Sequence, residues 1–236
     1  SGSLPIGNRN FRCWKSTGHG SVNFRKAIAE SCDDFFYKGS LKLGINKISQ
    51  TLGKLGFGES TGIDQINEFV GVNPNKEWKE KKYKEPWYVG ETVITSIGQG
   101  NMLVTPLQIA RYTSYIATGK LPKPHFYKAN YEEPKDIGIP TQYLDVLRKG
   151  MYDVTYAQRG TASKYINSKI TIASKTGTAQ VVSIPQSEKV RMKESELQYY
   201  ERSHAWITTY GPFENPQYAV TVIEEHGGHG GEAAGD

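Results

Sequence analysis

Residues 170–182 read Ile-Thr-Ile-Ala-Ser-Lys-Thr-Gly-Thr-Ala-Gln-Val-Val. Two β-branched runs, Ile170 to Ala173 and Thr178 to Val182, predict strands on either side of Lys175-Thr176-Gly177. Downstream, Ala205 to Tyr210 and Tyr218 to Ile223 predict two more strands. Pro212, Asn215 and Pro216 supply the turn of an antiparallel pair. The intervening stretch, Ser183 to Ser203, is rich in Glu, Lys and Gln and poor in apolar residues, which predicts a mobile excursion.

Upstream the period changes from two to 3.6. Phe24, Ala27 and Ile28 predict a short helix over Val22 to Glu30. Phe35, Phe36, Leu41 and Leu43 predict a second, ending near Gly44. Ile45, Ile48, Leu52 and Leu55 predict a third, stopped by Gly56. Residues 56–75 are crowded with turn formers. Residues 76–88 mix lysines with Trp78, Tyr83, Trp87 and Tyr88 and read as an exposed loop or face. Thr105-Pro106 with Gln108 forms a capping-box start for a helix reaching Gly119. Another helix begins near Thr141 and carries Leu144, Leu147, Met151 and Val154 on one face. Helices first and a sheet late predict an α+β fold.

With 236 residues, 37% of them hydrophobic and 22% charged, the chain has the composition of one sizeable globular core or at most two small domains. The net charge of +5 suits anionic partners, including carboxylate-bearing substrates. Basic residues interleave with aromatics over 76–88, but no nucleic-acid recognition motif accompanies them, so no nucleic-acid partner is expected. No run approaches the ~18 apolar residues of a membrane-spanning helix. Ser1-Gly2-Ser3 reads as a vector-derived scar. The glycine-rich end from Gly227 to Asp236 lacks a closing element, so both ends are expected to be cut.

Two short motifs carry the chemistry. Lys175-Thr176-Gly177-Thr178 offers a cation, two hydroxyls and a glycine against which a ligand can lie. Lys175 and the hydroxyls suit a carboxylate, and a peptide can add along the strand. Ser31-Cys32-Asp33 lies between two predicted helices, where serine and aspartate usually serve as caps. Together, in this order and 144 positions apart, they match the second and third elements of the S-x-x-K, S-D-N, K-T-G signature.

At this point the sequence resembles the penicillin-binding protein and serine β-lactamase superfamily. Ile97-Gly98-Gln99-Gly100 before Thr105-Pro106-Leu107-Gln108, and Gly160-Thr161-Ala162 before the K-T-G strand, resemble class B penicillin-binding proteins. Trp14, Gly18-His19-Gly20, Glu77-Trp78-Lys79 and Pro86-Trp87-Tyr88 are similar to the elongation-type subgroup. The resemblance covers nearly the whole chain. It implies a transpeptidase fold, a mainly antiparallel sheet flanked by helices, here incomplete at both ends. Ser31 is implied in proton transfer around an acyl-enzyme, and Asp33 stands where many relatives have Asn. Lys175 is implied to supply positive charge. Thr178 is implied to hold the substrate carboxylate and to lend its N–H to an oxyanion hole, while Thr176 and Gly177 shape the strand edge.

The resemblance further implies stem-peptide substrates, β-lactam binding, scaffold and glycan-polymerase partners of a rod complex, and a membrane anchor with a periplasmic active site. One departure is large. No serine in the sequence is followed by lysine three residues later, so the nucleophile and its activating lysine are expected upstream. A carboxypeptidase or β-lactamase on the same scaffold is a rival, as is a non-acylating binding or scaffold module.

Cys13 and Cys32 are the only cysteines. With His19 they offer two thiols and an imidazole, which are zinc-type ligands. A structural zinc beside Ser31 is one reading, a Cys13–Cys32 disulfide another, and two unrelated buried thiols a third. His226 and His229, among glycines, read as an exposed loop.

Overall fold

A computed structural model describes residues 2–182 and 194–235. The capping signals read from the sequence form the expected helices. In α6 (Pro106–Thr118) the Thr105 hydroxyl accepts from the Gln108 N–H at 3.1 Å, and the Gln108 carboxamide accepts from the Thr105 N–H at 3.0 Å. Gly119 ends the helix with φ 81, a left-handed conformation that glycine adopts without strain. The preceding helices are α1 (Phe24–Ala29), α2 (Asp33–Leu43) and α3 (Ile45–Lys54). Then come α4 (Lys76–Tyr83), α5 (Val89–Thr95) and, beyond α6, α7 (Thr141–Tyr156).

The sheet has the order β3-β4-β5, from β3 (Ala173–Ala179), β4 (His204–Gly211) and β5 (Tyr218–Glu224), all antiparallel. A short helix, α8 (Gly230–Ala233), packs on β3 and β4. The main core lies between this sheet and α1, α6 and α7. Ile28, Ile116, Met151, Val154, Ala173, Ala205, Ile207 and Tyr210 fill it. The helix–sheet antiparallel architecture agrees with the α+β expectation.

Several local expectations are corrected. Ile170 to Ile172 lie outside the strand, and the two runs read as separate strands contribute one. β3 continues through Lys175-Thr176-Gly177 because those residues pair in register with Thr208, Ile207 and Trp206. Gly177 is therefore a mid-strand residue, where a Cβ would press within 3.2 Å of the Trp206 Cβ. The N-terminus forms a hairpin that no sequence signal announced, β1 (Ser3–Ile6) with β2 (Arg9–Arg12). Ser3, read as part of a scar, opens β1, and the Gly2 carbonyl accepts from the Cys13 N–H at 2.8 Å. Leu41 and Leu43 are on α2 but face solvent, while Asp34, Tyr37 and Ser40 form its buried side.

Residues 76–88 are not a uniformly exposed stretch. The Asn75 side chain caps α4 by accepting from the Trp78 N–H at 2.9 Å, and Lys79 is only 4% exposed. Of the excursion expected over 183–203, residues 183–193 lie outside the described residues, and 194–203 carry two short 3-10 turns. No described helix is long and apolar enough to cross a membrane.

Candidate functional site

The Ser31 motif is a tight corner between α1 and α2. The Ser31 N–H reaches the Ile28 carbonyl at 3.2 Å, and the Cys32 N–H reaches that of Ala27 at 2.9 Å. The corner requires φ 48 at Ser31, a left-handed conformation that costs a non-glycine residue on the order of 1 kcal/mol. Trp14 braces it from outside. Its indole N–H donates to the Ser31 carbonyl at 2.9 Å and to that of Glu30 at 3.1 Å, and its backbone N–H donates to Asp33 Oδ2 at 2.9 Å. Asp33 thus works as an anchor of the loop at the first position of α2, where the helix dipole favours a carboxylate.

Lys175 reaches this corner from β3. Its Nζ donates to Ser31 Oγ at 2.5 Å and to the Thr176 carbonyl at 2.7 Å. Burial pushes its pKa down to about 8, with Asp33 opposing through its negative charge. A lysine that titrates near 8 and holds a serine hydroxyl can exchange a proton with it near neutral pH.

Thr176 and Thr178 share the opposite side of the strand from Lys175, by the alternation of a pleated strand. The Thr176 hydroxyl lies 2.6 Å from that of Thr161, whose N–H donates to the Ala29 carbonyl at 3.2 Å. Thr161 therefore ties β3 to the end of α1. Gly160 before it is enforced by packing, since a Cβ there would lie 2.3 Å from the carbonyl oxygens of Asp153 and Val154. The structure thus brings Ser31, Asp33, Lys175 and Thr176 together, with Gly177 and Thr178 next along the strand.

Trp14 and Thr161 stand out in the sequence only as family-like residues, with no role attached to either. Their contacts span 17 and 15 positions, which no helical or strand period reveals.

Cys13, His19 and Cys32 converge behind the same corner. All three are buried, and one ligand atom from each lies within 4.8 Å of the others. Both cysteines are free thiols. Cys13 Sγ stands 3.5 Å from His19 Nδ1, close to the ~3.5 Å separating a sulfur and a nitrogen on one tetrahedral zinc. His19 Nε2 is buried without a hydrogen-bond partner. Burial pushes the His19 pKa down against the pull of Glu30, favouring the neutral imidazole that ligates metals. Burial raises the Cys32 thiol. The donor set fits zinc. His226, by contrast, is half-buried rather than fully exposed, and its N–H donates to His204 Nδ1 at 3.0 Å.

Residues 2–236 match the family model described as the penicillin binding protein transpeptidase domain. The sequence is 39% identical to the peptidoglycan D,D-transpeptidase MrdA of Haemophilus influenzae, over 98% of this chain and 37% of that protein. Among solved structures, it is similar to PBP2 of Helicobacter pylori, seen in complex with MreC. The TM-score is 0.88 and the identity 48%, over 96% of this chain and 40% of that one. It is also similar to a chain of a peptidoglycan synthase complex that coordinates polymerization and crosslinking. There the TM-score is 0.80 and the identity 32%, over 99% of this chain and 39% of that one. The chain therefore spans well under half the length of the relatives it matches.

Proposed function

The chain belongs to the penicillin-binding protein transpeptidase family, and from that premise we propose that the natural protein is a peptidoglycan D,D-transpeptidase of the elongation type. The observation that carries the reading is the Lys175–Ser31 contact at the K-T-G-T strand. In the proposed reaction a serine attacks the penultimate D-Ala carbonyl of a stem peptide and expels the terminal D-Ala. An amine of a neighbouring stem then takes the acyl group and frees the serine. The S-x-x-K serine and lysine are not among these 236 residues, so the acyl acceptor comes from outside them. Here Ser31 and Lys175 pass a proton to the leaving D-Ala amine, and in the second step they take one from the entering amine and return it to the released serine. Thr178 and the cation of Lys175 bind the terminal carboxylate of the donor, or the acid group of a β-lactam.

Incubating the natural full-length protein with a reactive β-lactam tests this by intact mass. One covalent adduct, mapped to a serine outside this sequence, is expected. A protein that stays unlabelled and hydrolyses neither β-lactam nor pentapeptide favours the second reading, a binding or scaffold module of the same fold. The missing S-x-x-K is what speaks for that alternative.

The similarity to a PBP2 seen with MreC and to a synthase complex supports scaffold and glycan-polymerase partners. A membrane-anchored protein acting on the periplasmic face of the inner membrane follows from the same reading. Cys13, His19 and Cys32 bind a structural zinc, which supplies no chemistry to the reaction but ties the end of β2 to the Ser31 corner. Protein purified without added metal is expected to carry about one zinc, and the paired substitutions C13S and C32S to remove it. Metal-free protein with a Cys13–Cys32 disulfide would sink the idea.

A further inference from the structure

β3 is an edge strand, and among the described residues no other strand pairs with its outer side. Edge amides are templates for an added peptide strand, the natural way for a stem peptide to dock. In a pleated strand the N–H and C=O of alternate residues point the same way, so residues 176, 178 and 180 address that open side. Three of these six groups are already engaged. The Thr176 carbonyl accepts from Lys175 Nζ at 2.7 Å. The Thr178 carbonyl accepts from Gln99 Nε2 at 2.7 Å, and the Gln180 N–H donates to Gln99 Oε1 at 3.2 Å.

Gln99 therefore meets the strand as one residue of a neighbouring strand would, with one donor and one acceptor spanning two residues. Its side chain is aimed there by the turn after α5. The Gln99 N–H bonds back to the Ile94 carbonyl at 3.2 Å, and Gly98 and Gly100 on either side take φ 76 and 77. Left-handed residues on both flanks turn the chain sharply enough to present the carboxamide edgewise. Between the two occupied carbonyls, the Thr178 N–H is the one outward group left for an incoming oxygen.

Resting on the transpeptidase reading, we propose that Gln99 determines donor specificity by closing the β3 edge at Thr178 and Gln180. A ligand amide pairs there only after displacing its carboxamide. Ligands that stop at the Thr178 N–H bind without that exchange, and ligands that run further along the strand must make it.

The test uses the natural full-length protein and two penicillins with one nucleus. Benzylpenicillin carries a side-chain amide, and 6-aminopenicillanic acid lacks it. The readout is the ratio of their second-order acylation rates. In Q99A and in the near-isosteric Q99M the Thr178 carbonyl and Gln180 N–H are open, so the ratio should rise about fivefold, the worth of one ordinary hydrogen bond. An unchanged ratio overturns the proposal. So does a fall in the ratio, which would mean that Gln99 itself holds the ligand. If neither variant folds, amide exchange in the unsubstituted protein decides: the Gln180 N–H must be protected before ligand is added, and free exchange overturns the proposal. A wild-type protein that neither penicillin labels would overturn the transpeptidase reading and this inference with it, whereas a labelled wild type with an insensitive ratio removes this inference alone.

Discussion

Lys79 and Lys175 are both drawn at least partly out of water, and their surroundings treat them in opposite ways. Lys79, on α4, meets Glu91 at 2.7 Å and Glu85 at 3.6 Å and lies 4.3 Å from the centre of the Tyr88 ring. Burial pulls its pKa down, but the bond and charge of Glu91, with Glu85 behind it, more than offset that, and the net shift is upward. Lys175 donates to a hydroxyl and a carbonyl, those of Ser31 and Thr176, with the charge of Asp33 acting only through space, and its pKa falls to about 8. A paired cation locks a fold. An underpaired one is ready to release its proton or to bind an anion that arrives later.

The largest expected effect is on that second lysine. K175M in the full-length protein should slow acylation by a β-lactam by about 10²–10⁴-fold, the range for loss of a proton-transfer group. K79M should leave the rate per folded molecule within about twofold, since Lys79 lies on a different element. Single-turnover labelling of the two variants side by side measures this, and equal losses would erase the functional distinction.

Stability should rank the two in reverse. K79M leaves Glu91 at the packed start of α5 without its cation, and the unfolding temperature should fall by about 5 °C. K175M removes a cation that the fold holds at a cost. Because the folded pKa of Lys175 lies below its unfolded value, wild-type stability from this group rises as pH climbs from about 8 toward 10.5. K175M should therefore be more stable than wild type by about 3 kcal/mol at pH 7, with the gain vanishing above pH ~10.5. Denaturant unfolding of both proteins at pH 7, 9 and 10.5 isolates this difference, because the tyrosines titrate equally in each. A gap that stays constant with pH would show that Lys175 is not underpaired.

The contrast between the lysines also marks what the sequence makes legible. Thr105-Pro106-Leu107-Gln108 announces its helix because a capping box is local, and each bond spans three residues. The K-T-G-T motif and Ser31-Cys32-Asp33 are legible through spacing and resemblance, and their meeting at Ser31 Oγ follows that reading. Lys79 was read as surface because its burial depends on Glu91, twelve positions away, and on α5, whose seven residues carry too little periodicity to announce a helix. The break expected around Gly177 was wrong for a related reason. Glycine weighs as a turn signal in a single strand, but here it pairs in the middle of a sheet because Trp206 crowds the position. Trp14, Gln99 and Thr161 act through contacts that only the folded chain brings together.

The smallest effect sharpens the comparison furthest, because it separates holding the strand from charging it. Thr161 and Thr176 exchange one hydroxyl–hydroxyl bond at 2.6 Å, and Thr161 also reaches the Ala29 carbonyl through its backbone. T161V keeps the shape and the backbone bond and removes only the hydroxyl. The expected loss is about 1 kcal/mol, larger if the Thr176 hydroxyl then lacks a partner. If the bond sets the height of β3 against the Ser31 corner, acylation should fall about three- to tenfold while its pH dependence stays where Lys175 puts it, because a 1 Å displacement costs rate without changing charge. A pH profile that moves in T161V would mean that Thr161 tunes Lys175 itself, and the line between the residues that position the lysine and the surroundings that set its charge would have to be redrawn.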